Sequence, residues 1–187
     1  MKKYFCVILI GFIFNAVVWS QSAGVGFADK PAVLTAVGQS ADVEMVKVLL
    51  TREKIPFKVD KAGALFKASD LTSADKTLIV VMGSSSKGLG AAGISFDEEM
   101  TRSQALVKRA KELGMKVIAL HVGGAVRRGA NSDKLINFAV PLADYVIVVS
   151  DSDNDGLFTN LARETKIPIS KVEKIALVGA PLAAAFK

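Results

Sequence analysis

Thr77-Leu78-Ile79-Val80-Val81-Met82-Gly83-Ser84-Ser85-Ser86 is the stretch that decides the fold class. Six β-branched or apolar residues run together and then stop at glycine and serine. A strand with one wet face alternates apolar and polar residues, whereas a strand covered on both faces is apolar almost throughout, as in a parallel sheet between two helical layers. Residues 32–37, 116–122 and 145–149 have the same character. Weaker strands are expected at 57–60 and 171–175.

Amphipathic segments lie between these runs. Ser95 and Glu98 form a Ser-x-x-Glu capping box; Met100, Leu106, Val107, Ala110 and Leu113 follow at helical spacing, and Gly114 stands where the helix should stop. Ser40 is expected to cap a helix running to Arg52, Ser132 or Asp133 one that ends before Pro141, and Asp155 one that ends before Pro168. Residues 177–186 are expected to form a final helix docked on the sheet. Strands alternating with helices imply right-handed βαβ units. The expectation is a single three-layer α/β domain, doubly wound and Rossmann-like or flavodoxin-like, with a mostly parallel sheet of five to six strands.

The chain has 187 residues, 51% of them apolar and 22% charged, enough to bury a core. Its first twenty residues follow the secretory pattern: Lys2 and Lys3, an apolar run from Tyr4 to Trp19 broken by Asn15, then small residues. Residues 1–23 are therefore expected to be a signal peptide and 24–187 the single α/β domain, in a periplasmic or extracytoplasmic location. No stable membrane insertion is expected after cleavage, since about 20 apolar residues are needed to span. The formal charge is +6, of which Lys2 and Lys3 carry two, leaving +4 that is too scattered for nucleic acid. The only cysteine, Cys6, falls in the signal segment, so disulfides and thiol chemistry are not expected in the domain.

In a doubly wound sheet, ligands bind beyond the carboxyl ends of the strands where strand order reverses, which for flavodoxin-like order lies between the strands ending at Val37 and Met82. Three loops there carry glycines, hydroxyls and cations. They contain Gly38, Gln39 and Ser40; Ser84, Ser85, Ser86, Lys87 and Gly88; and His121, Gly123, Gly124, Arg127 and Arg128. Such loops turn backbone N–H groups toward an anion, so the expected ligand is a small molecule bearing phosphate, sulfate or carboxylate.

Three familiar motifs fall short. Gly88, Gly90 and Gly93 spell GxGxxG, but five residues beyond the strand and ahead of a helix expected only near Phe96. Gly83 and Gly88 have phosphate-loop spacing, yet Leu89 and Gly90 replace the required Lys and Ser or Thr. Asp151, Asp153, Asp155 and Gly156 match half of a calcium loop whose twelfth position is Ala162. No metal site and no cofactor is expected. Residues 84–95 are expected to form a glycine- and serine-rich lid between strand and helix. His121, the only histidine, could serve a hydrolase with Ser40 or a serine of 84–86, oriented by Asp42 or Asp151.

With these loops, and with Asp155-Gly156-Leu157-Phe158, the chain resembles an uncharacterised bacterial family of exported α/β proteins, domain-of-unknown-function family 6305, over about residues 30–186. The resemblance implies an exported α/β domain and brings no activity with it. A binding module for a small anion is the leading expectation. A secreted hydrolase or transferase, or an accessory protein with an envelope protein partner, are the alternatives.

Overall fold

A computed structural model describes residues 25–60 and 64–187. The expected signal segment, 1–23, lies outside the described residues. The elements in chain order are β1 (Ala32–Val37), α1 (Asp42–Arg52), β2 (Phe57–Val59), β3 (Thr77–Met82), α2 (Ser86–Ala92), α3 (Phe96–Glu112), β4 (Lys116–His121), α4 (Ala130–Ala139), β5 (Tyr145–Val149), α5 (Leu157–Thr165), β6 (Ile169–Val172) and α6 (Gly179–Ala185).

All six strands pair in parallel, in the order β2-β1-β3-β4-β5-β6. The pleat explains why the strands are apolar throughout. In β3, Leu78, Val80 and Met82 pack with Leu106 and Val107 of α3, Leu135 and Ile136 of α4 and Phe158 of α5. Ile79 and Val81 point the other way, toward Val46, Leu49 and Leu50 of α1 and Leu182 of α6. Each strand thus serves two cores, and the fold is the expected three-layer, doubly wound sheet. No helix among the described residues is long and apolar enough to cross a membrane.

Local differences from expectation have identifiable causes. The last strand is Ile169–Val172 instead of 171–175, because Val172 is followed by a turn in which Leu177 N–H bonds to the Lys174 carbonyl. Helix α4 starts at Ala130, so Ser132 and Asp133 lie inside its first turn. The Ser132 hydroxyl accepts the Ser84 N–H at 2.9 Å, and Asp133 binds Arg128. Helix α5 is capped mainly by Asp153, which accepts the N–H groups of Phe158 and Thr159, while Asp155 accepts that of Leu157. The 84–95 stretch is no structureless lid. Ser85 caps α2 by accepting the Gly88 N–H at 3.1 Å, and Gly93, at φ 69°, closes the helix in the left-handed region. The GxGxxG stretch is spent on that helix and its cap.

Candidate functional site

The strand order reverses between β1 and β3, with β2 outside β1 and β4 beyond β3. The loops after β1 and β3 are laced together at this point. Gly83 N–H bonds to the Val37 carbonyl at 2.9 Å, Ser85 N–H to the Gly38 carbonyl at 2.8 Å, and Gln39 and Ser84 form an antiparallel bridge. Helix α2 closes over the β1 loop so tightly that a Cβ on Gly88 would overlap the Gln39 carbonyl oxygen. Of the nominated backbone donors, that of Ser85 is therefore spent holding the two loops together, and those of Gly38, Ser84 and Gly88 are taken by the side chains of Glu99, Ser132 and Ser85.

A buried network, missed in the sequence, supports the β1 loop from below. Glu99 of α3 is fully buried; its Oε1 accepts the Gly38 N–H at 2.8 Å and the Gln39 side-chain amide at 3.1 Å. Arg102, one turn on, donates to Glu99 Oε2 at 2.7 Å, and also to the carbonyls of Ala36 and Phe66 at 2.7 and 2.9 Å. Thr35 of β1 donates to Asp60 at 2.6 Å, and burial raises the Asp60 pKa above the usual carboxylate range against the pull of that bond. Glu99 could have been found from spacing: with Ser103, Leu106 and Ala110 it lies on the buried stripe of α3.

The nominated hydroxyls and cations meet different fates. Ser40 is buried, and its Oγ accepts the Asp42 N–H at 3.1 Å at the start of α1. Ser86 and Lys87 are exposed on α2. Arg128 is committed: it binds Asp133 at 2.6 Å, Asp155 at 2.8 Å and the Ser152 carbonyl, and lies over the Phe158 ring. These bonds drive its pKa above the ordinary arginine value and pull that of Asp155 down to about 2. Asp153 is buried and held by Thr159 and Lys171, at 2.9 Å from the latter, so Asp153 and Asp155 of the half calcium loop have partners within the chain. Among the described residues no cluster of three or more His, Cys, Asp or Glu side chains could hold a metal ion.

Arg127 differs from its neighbour. Its Nε lies 3.6 Å from Asp42 Oδ1, and its guanidinium makes no hydrogen bond among the described residues. Gly123 packs against both partners, leaving no room for a Cβ beside Asp42 Oδ2 and the Arg127 side chain. Gly124 packs against Asp151, whose oxygens would stand 3.0 Å from a Cβ there. His121, fully buried at the end of β4, is 2.9 Å through Nδ1 from the Met82 carbonyl, and its ring lies against Phe158. Burial pushes the His121 pKa down, outweighing the backbone hydrogen bonds to Met82 and Gly124 and the Asp42 charge, all of which act to raise it.

Beside the crevice, a cavity of about 260 Å³ is lined by Gln39, Ser40 and Gly88, and its charged wall residues are Glu44 and Asp60. A broader hollow of about 800 Å³ lies by β2, where Lys58 is bonded to Asp75 and Arg102 to Glu99. The structure thus brings the loops after β1, β3 and β4 together at the reversal point, and of the two nominated arginines it leaves Arg127 uncommitted. Residues 29–186 match the family described as a domain of unknown function, DUF6305. No curated protein and no solved structure matches.

Proposed function

We propose that this chain, which belongs to the DUF6305 family, is an exported module that binds a small anionic molecule in the crevice over the carboxyl ends of β1 and β3. The observation that carries the reading is Arg127. It stands at the strand-order reversal with every guanidinium donor uncommitted, held only by a 3.6 Å contact to Asp42. With its side chain 36% exposed, that ion pair is worth about 0–1 kcal/mol, so a ligand anion could replace it at little cost. Lys87, exposed on α2, would add long-range attraction.

Export is supported by Lys2, Lys3 and the apolar run that follows them. The proposed partner is the small anion, without nucleic acid, and an envelope protein would be a second partner only if the crevice proves empty of function. Hydrolysis has less support. His121 and Ser40 are buried, and the Ser40 Oγ is engaged as an acceptor from the Asp42 backbone.

A thermal-shift screen of the protein against carboxylates, phosphorylated metabolites, nucleotides and calcium tests the proposal. A ligand at a hundred times its Kd adds about 2.7 kcal/mol, a rise of roughly 5–10 °C for a chain of this size. The expected result is a saturable rise with one anion class that Arg127→Gln removes. A rise that survives Arg127→Gln would move the site elsewhere.

A further inference from the structure

Asp42 stands beside the proposed anion site as an anion of the protein's own. It is buried at the start of α1, and its Oδ1 lies 3.6 Å from Arg127 Nε. Gly123 is what lets the two side chains meet, since a Cβ there would overlap both the Asp42 carboxylate and the Arg127 stem. Helix α1 thus supplies the carboxylate, and the loop after β4 supplies the arginine and the gap between them.

A ligand need not touch Asp42 to feel its charge. The Arg127 side chain is 36% exposed and its guanidinium donors are unbonded, so an anion can meet it from solvent. Asp42 then lies a few ångströms from the bound charge. At a separation of roughly 6 Å and an effective dielectric constant of about 40, between those of a protein surface and of bulk water, the repulsion lowers affinity about tenfold for each negative charge on the ligand. The surroundings supply no spare cation to offset it. Arg128 is spent on Asp133 and Asp155, and Lys87 is exposed on α2, where water and salt screen it. Asp151, packed against Gly124, adds a second carboxylate one residue along from Gly123. One guanidinium therefore faces two carboxylates before any ligand binds, and every further charge on the ligand is opposed.

Resting on the anion-binding reading above, we infer that Asp42 sets the charge of the ligand: the site takes a singly charged carboxylate on Arg127 and turns away phosphate, sulfate and dicarboxylates. A carboxylate carries the one charge that Arg127 can pair, and it matches the planar guanidinium in two-pronged geometry. Asp42 acts here as a specificity residue at a distance, without contact to the ligand.

Titration calorimetry of the full chain at about pH 7 and constant ionic strength tests this, with propionate as the monoanion and malonate and sulfate as dianions of different shape. Propionate is expected to bind the unaltered protein most tightly of the three. Asp42→Asn keeps the shape of the side chain and is checked for folding by its melting curve. It is expected to tighten propionate about tenfold and both dianions about a hundredfold, because repulsion scales with ligand charge. Arg127→Gln is expected to remove binding of all three. A dianion that binds the unaltered protein more tightly than propionate overturns this inference, and so do Asp42→Asn gains that are absent or equal for one charge and two; either result leaves the anion-binding reading in place. The ranking on the unaltered protein stands whether or not a variant folds. No binding of the three by the unaltered protein or by Asp42→Asn overturns both.

Discussion

Replacing Glu99 with alanine tests whether the buried network beneath the β1 loop supports the crevice. Glu99 is fully buried, and its carboxylate accepts from the Gly38 backbone, the Gln39 side chain and Arg102 at 2.8, 3.1 and 2.7 Å. The substitution leaves the Arg102 guanidinium, only 11% exposed, without its counter-charge and the Gly38 N–H without an acceptor. Breaking a buried ion pair from one side costs about 3–5 kcal/mol, much of a domain's net stability. In urea titrations followed by far-UV circular dichroism, this appears as a midpoint lower by about 1–3 M. The double variant Glu99→Ala/Arg102→Ala removes both charges, so its loss should fall short of the sum of the single losses by at least about 1 kcal/mol. Single losses under about 1 kcal/mol, or additivity within about 0.5 kcal/mol, would refute the claim that the two side chains act as one unit.

Two glycines of α2 should respond in opposite directions. Gly88→Ala places a methyl group on the Gln39 carbonyl oxygen and should destabilise the protein, whereas Gly90→Ala meets nothing within 4 Å and should stabilise it by about 0.5–1 kcal/mol, both read from melting curves. His121, the only histidine, should show the Nδ1–H tautomer in long-range ¹H–¹⁵N spectra and stay neutral below its ordinary pKa of about 6.5. Since its folded pKa is depressed, the unfolded chain takes up the proton first, so this histidine's contribution is complete above about pH 6.5 and is lost as pH falls through the folded value. An Nε2–H tautomer would contradict donation from Nδ1 to the Met82 carbonyl, and titration at or above the ordinary value would contradict the effect of burial on the ring. Asp155, held down to about 2 by Arg128, gives a second pH dependence of the same sign. Stability should decline between about pH 4 and pH 2, and Arg128→Ala should flatten that part of the curve measured by urea titration.

The layers were legible because they follow from patterns that few other folds share. The runs in β1, β3, β4 and β5 are apolar on both faces, which requires cover above and below, and the Ser95–Glu98 capping box marks the start of α3 within the chain's own local chemistry. Helix α2 was not legible. Its residues, Ser86-Lys87-Gly88-Leu89-Gly90-Ala91-Ala92, have a loop's composition, and the structure closes them into a helix through the Ser85 cap and through glycine 88, where only a missing side chain allows contact with Gln39. Glu99 escaped for a related reason. A glutamate on a helix is ordinarily solvated, and what buries this one is a backbone N–H and a guanidinium supplied by Gly38, far away in the chain, and by Arg102 one turn on.

Arg127 and Arg128 show where sequence reasoning ends and tertiary structure decides. They are adjacent, identical, and equally plausible as anion ligands. Arg128 lies within reach of Asp133 on α4 and Asp155 before α5, two carboxylates brought together only because the loops after β4 and β5 are neighbours in the sheet. Arg127 faces the other way, toward Asp42 at the start of α1, in a contact too long for a hydrogen bond. One arginine therefore ties two loops together, while the other keeps its guanidinium donors unbonded on a side chain that is 36% exposed. Gly123 packs against Asp42 and Gly124 against Asp151, so the fold alone sets where these two carboxylates stand on the rim.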